Sequence, residues 1–194
     1  MLRTLFILTS FVVAVSPAHA HTGVGVPGGV LSGFLHPLSG LDHVVAMIAV
    51  GLWGAQLGRP GIWVLPLCFM ASMALGGVLG MAGVPLAGTE VAIAASALVL
   101  GAAVAVALRV PVAAAALIVG AFAVFHGYAH GQELPEAADA LAYGLGFVAA
   151  TGLLHVAGIL IGIGFRGATG ATAVRVLGGG IAGLGAVFLL TLAA

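Results

Sequence analysis

The chain reads as long apolar runs, interrupted at short intervals by Gly, Pro or a charged residue. A helix needs about 20 apolar residues to cross the hydrocarbon core of a bilayer. Breaking the runs at those interruptions predicts six spans, over residues 31–57, 62–82, 88–108, 111–130, 138–164 and 173–193. The connections are short: Gly58-Arg59-Pro60, Gly83 to Ala87, Arg109-Val110, Gly131 to Ala137 and Arg166 to Thr172. The runs are too continuous for the alternation of barrel strands, and an open sheet would leave backbone polar groups unpaired in lipid. The expectation is an all-α polytopic membrane helical bundle with no soluble domain.

Ahead of the first span, residues 1–20 have the form of a cleavable secretory signal peptide. Arg3 supplies the positive start and Leu5 to Val15 the apolar stretch. Ser16-Pro17 ends it, and Ala18-His19-Ala20 has the small-x-small form of a cleavage site. The transmembrane domain is then 21–194, opening at His21, where an α-amine and an imidazole sit together as an additional candidate metal-binding pair. Arginine sets the orientation. With His21 outside the cytoplasm, six alternations put Arg59, Arg109, Arg166 and Arg175 on the cytoplasmic side of the inner membrane. The acidic loop of Glu133, Glu136 and Asp139 faces the periplasm, as do both mature termini.

Composition removes several alternatives. The chain is 62% hydrophobic and 5% charged, where a soluble domain carries roughly a quarter charged residues. With no lysine, zero net charge and no basic patch, nucleic-acid binding has no electrostatic basis. The one cysteine, Cys68, cannot form an intrachain disulfide and reads as a small buried hydrophobe. Met47, Met70, Met73 and Met81 are spread through the spans and read as core packing, not as a thioether site.

Against this background, ionisable residues inside spans are costly and are candidates for function. The first span carries His36-Pro37-Leu38-Ser39-Gly40-Leu41-Asp42-His43. In a regular helix His36 and His43 would share a face about 10 Å apart along the axis, too far for one ion to bond both. Pro37 and Gly40 weaken the helix, so the span is expected to open with a broken or re-entrant stretch, Val26 to Gly40. Either the backbone bends there, or the two histidines serve successive sites. Asp42 is a ligand candidate, or orients a histidine through its second ring nitrogen. The fourth span ends in Phe125-His126-Gly127-Tyr128-Ala129-His130-Gly131-Gln132-Glu133. His126 and His130 are one helical turn apart and project from the same face, a metal-chelating spacing, and Glu133 joins them if the helix continues. Gly127 and Gly131 leave room for a neighbouring helix or an ion, and Tyr128 points elsewhere as an interfacial anchor. His155 lies deeper in the fifth span, either an exit-side ligand or an interhelical hydrogen-bonder. Glu90 is a solvated carboxylate at the start of the third span.

The H-P-x-x-G-x-D-H stretch at 36–43 and the F-H-G-x-A-H-G-x-E stretch at 125–133 resemble the two signature motifs of the HupE/UreJ family of nickel permeases. The signal peptide, six spans and length are similar to that family along the whole chain. The resemblance implies a secondary transporter of the bacterial cytoplasmic membrane that brings nickel(II) into the cell for hydrogenase or urease maturation. It implies His36, Asp42 and His43 in the first motif, and His126, His130 and Glu133 in the second, as metal-binding residues. Imidazole and carboxylate suit nickel, cobalt and zinc alike. The implied partners are a divalent ion and the lipid bilayer, with a homo-oligomer allowed. No organic cofactor is implied, and no Walker A sequence is present to hydrolyse nucleotide. The readings that compete are a cobalt or zinc transporter, a metal sensor, and an intramembrane metalloenzyme with Glu133 as base. The last lacks an H-E-x-x-H sequence, and the chain is expected not to be an enzyme.

Overall fold

The computed structural model describes residues 29–134, 139–165 and 167–194. The expected signal peptide, His21, Glu136 and Arg166 lie outside the described residues. Among the described residues seven helices follow one another: α1 (Val30–Ser39), α2 (Leu41–Leu57), α3 (Gly61–Met81), α4 (Thr89–Ala105), α5 (Val112–Glu133), α6 (Ala140–Gly164) and α7 (Gly167–Leu192). No strand occurs among the described residues. Helices α3, α5, α6 and α7 are each long and apolar enough to cross a membrane, and α1 with α2, bent by 88°, counts as a fifth span if the pair is one broken span and not a re-entrant loop. At 17 residues α4 is shorter.

The bend falls within the stretch expected to be broken or re-entrant, and from Val30 to the break that stretch is helical. Pro37 lies inside α1 and has no N–H to offer the carbonyl of Gly33. The helix stops at Ser39, and Gly40 adopts an extended conformation (φ −99°, ψ 113°) that starts α2 in a new direction.

Helix α2 is the centre of the bundle. Met47, Leu52 and Trp53 are fully buried, and α2 packs against α3, α4 and α6. The outer helices bury one face and turn large apolar residues outward, with Leu117 75%, Leu141 73% and Leu190 70% exposed. That inverted surface belongs in lipid.

The closest packing runs through the second motif. A Cβ on Gly127 would collide with the Met73 carbonyl, and one on Gly131 with that of Gly77. The room these glycines leave is therefore taken by α3, whose backbone locks the turn of α5 that carries His126 and His130.

Hydrogen bonds define the two ends of the bundle. At one, the Tyr128 hydroxyl accepts from the Leu86 N–H at 3.2 Å, tying the end of α5 to the loop before α4. Tyr128 is 3% exposed, so it pins a loop instead of anchoring at the lipid interface. At the other end, Ala107 in a left-handed conformation (φ 50°) closes α4. The Trp53 indole donates to the Leu108 carbonyl, Gln56 to that of Val104, and Arg175 to that of Ala105. Asp139 caps α6 by accepting from the Leu141 and Ala142 N–H groups.

Candidate metal centre

Both motifs converge near the Tyr128 end of the bundle. The 88° turn at Gly40 sets His36 and His43 on either side of His130, with ring centroids 4.7 Å and 4.5 Å from it. His43 in turn lies 4.6 Å from His126. The four imidazoles form a continuous ladder, His36–His130–His43–His126, drawn alternately from the first span and α5. Of the two alternatives anticipated, the bend occurs, and His36 and His43 both lie against His130.

Burial increases along the ladder. The side chains of His36 and Glu133 retain 27% and 29% of their exposure, whereas His43 and His130 are buried and His126 is inaccessible. Glu133 holds the outer end, its carboxylate 3.3 Å from His36 Nε2 and 3.8 Å from His130 Nδ1. His36, His130 and Glu133 each offer a ligand atom within 4.8 Å of the others, a spacing that small side-chain movements close onto one ion.

Asp42 works on its neighbour. One carboxylate oxygen accepts from both the backbone N–H and Nδ1 of His43, each at 2.8 Å. Its place in the first turn of α2 favours a negative charge. A Cβ on Gly40 would crowd that oxygen at 2.9 Å, so the glycine serves this contact as well as the bend.

Three residues without a motif complete the site. Ser96, fully buried on α4, lies 2.9 Å from His126 Nε2. Phe69, fully buried on α3, packs against His126 and His155 with centroids 5.6 Å and 5.0 Å away. Phe147 of α6 packs 4.4 Å from His130. His155 is buried and, among the described ring contacts, meets the ladder through Phe69 alone. Glu90 is exposed in the first turn of α4 and is no part of the ladder. An apolar cavity of about 420 Å³ between α3, α5 and α6 reaches His130 from the side.

Residues 9–188 match the family model described as HupE / UreJ protein. The chain is also 45% identical to Protein HupE of Rhizobium leguminosarum bv. viciae over 175 residues, covering 90% of this chain and 91% of that one. No solved structure matches it.

Proposed function

The chain belongs to the HupE/UreJ family of membrane metal transporters, and on that premise we propose that it is a permease carrying nickel(II) into the cell across the bacterial cytoplasmic membrane. The ladder carries this reading. Four imidazoles at 4.5–4.7 Å spacing lead from a partly exposed carboxylate to a fully buried ring, and such a row hands a cation inward by short exchanges of ligands. Glu133, His36 and His130 receive the ion, with His21 assisting from the mature N-terminus. His43, oriented by Asp42, and His126 hold it at depth. His155, past Phe69, takes it onward.

In this reading six spans cross the membrane. Helix α4 counts with its flanks, since it runs from the Tyr128 end to the Trp53 end as its neighbours do. Arg59, Arg109 and Arg175 belong to the Trp53 end, which is then cytoplasmic by the positive-inside tendency, with both mature termini periplasmic. The ligands suit the task. Imidazole and carboxylate hold nickel firmly but release it more readily than thiolate would. A dication moving inward gains about 4.6 kcal/mol per 100 mV of membrane potential, enough for accumulation of more than about a thousandfold.

The test is uptake of radioactive nickel into proteoliposomes under an inside-negative potential, with cobalt and zinc as competitors. The expected result is potential-driven nickel uptake that disappears when His126 and His130 are both replaced by Ala in a folded protein. Nickel bound in stoichiometric amount without uptake would replace the permease by a sensor.

A further inference from the structure

We propose that Ser96 is a positioning residue, which holds the proton of His126 on Nε2 and so turns a bare Nδ1 towards the ion path. The inference rests on the reading of His126 as a nickel ligand, and it adds a residue that neither motif contains.

The argument is one of proton bookkeeping. The Ser96 hydroxyl oxygen lies 2.6 Å from the Ile93 carbonyl oxygen and 2.9 Å from His126 Nε2. A hydroxyl has one proton, and a carbonyl can only accept. Two oxygens at hydrogen-bond distance need that proton between them, so Ser96 donates to Ile93. What remains towards His126 is an oxygen lone pair, and Nε2 must supply the proton of that contact. A neutral imidazole carries one N–H. With Nε2 protonated, Nδ1 of His126 is an open lone pair, and it is buried without a hydrogen-bond partner.

His43 repeats the logic with the ring reversed. Asp42 fixes the proton on Nδ1, leaving a buried and unpartnered Nε2. Two rings 4.6 Å apart therefore each present a proton-free nitrogen, one set by a carboxylate and the other by a hydroxyl. The partner of the outer nitrogen decides which nitrogen can bind metal. The difference in partner also divides the charge. Asp42 brings a negative charge to offset the arriving dication, whereas Ser96 orients at no cost in charge at the most deeply buried rung.

The experiment is the ¹⁵N spectrum of histidine rings in the full-length, metal-free protein in lipid bilayers, followed by nickel titration of the same samples. The expected wild-type spectrum has His126 protonated on Nε2. In Ser96→Ala the ring should lose that preference, and nickel affinity should fall about 10- to 100-fold, the usual cost of losing such a partner. Ser96→Thr keeps a hydroxyl that helical Thr directs to the same backbone carbonyl, and should restore both ring signal and affinity. A wild-type His126 protonated on Nδ1 overturns the role of Ser96 and leaves the ligand reading standing. This outcome needs no variant to fold. A ring that changes tautomer in Ser96→Ala with unchanged nickel affinity removes His126 from the ligands, and the permease reading of this rung with it.

Discussion

At the end of the bundle where α2 and α4 finish, the donors of Trp53, Gln56 and Arg175 each reach a carbonyl of the α4 terminus. At the other end, His43 Nε2, His126 Nδ1 and both nitrogens of His130 are buried with no hydrogen-bond partner. The two regions share a membrane setting yet treat polar atoms differently: among the described residues the Trp53 end leaves the Gln56 carbonyl oxygen unpaired, and the histidine end leaves four ring nitrogens so. A paired group contributes about 1 kcal/mol to stability, and an unpaired buried one costs about 1–3 kcal/mol. The Trp53 end is thus built to hold the bundle together. The histidine end carries a standing cost that binding a cation would relieve, since it supplies the missing partner to several nitrogens at once.

The sharpest way to break this contrast is His130→Ala. The ring sits between His36 and His43, so its loss should bring nickel uptake down to that of empty vesicles. The melting temperature in detergent should fall by less than for an ordinary core ring, because the cavity left beside Phe147 is offset by removing two buried nitrogens that lack partners. A protein that unfolds on this change would put His130 in the same structural class as Trp53.

Gly127→Ala connects the two regions through the backbone. Its new Cβ collides with the Met73 carbonyl, and overpacking of this kind costs about 1–3 kcal/mol. Pushing α3 from α5 also displaces His126 and His130, so stability and uptake should fall together. Melting curves and uptake per folded molecule separate the two effects. Uptake kept at full rate in a destabilised protein would mean that the ladder tolerates more slack than its spacing suggests.

What the sequence exposes and what it hides follows from the same contrast. The ionisable motif residues are conspicuous because they are expensive in lipid, and the i, i+4 spacing of His126 and His130 places both on one face without any tertiary knowledge. The break at Gly40 is legible from Pro37 and Gly40. That α1 remains helical up to it, with Pro37 inside, is not, because the packing of α1 along α6 that holds it appears only in the folded bundle. Ser96 and Phe69 are invisible by composition: a serine among alanines and a phenylalanine in an apolar helix look like packing. Their roles appear only once α4 and α3 are laid beside α5. Tyr128 shows the reverse error, in which an aromatic near a helix end suggests an interfacial ring and tertiary contact supplies a loop instead.

Trp53→Phe tests the structural end. It keeps most of the ring's bulk and removes the indole donor, leaving the Leu108 carbonyl without that partner. Stability should drop by about 1–2 kcal/mol, read from denaturation in detergent, with nickel uptake per folded molecule unchanged.

Arg175→Ala should have the smallest effect and says most about where the two regions stop interacting. The guanidinium Nε donates to the Ala105 carbonyl at 2.7 Å, but the contact is exposed, so water replaces it and the expected loss is below about 1 kcal/mol. The positive charge is removed from the side on which the proposed orientation delivers nickel. If the Trp53 end only holds helices together, initial uptake rates at a fixed membrane potential should match wild type within error. A reproducible rise in rate on removing this charge would show that the released dication passes Arg175. The ion path would then extend from the histidine ladder through the end that hydrogen bonding marks as structural.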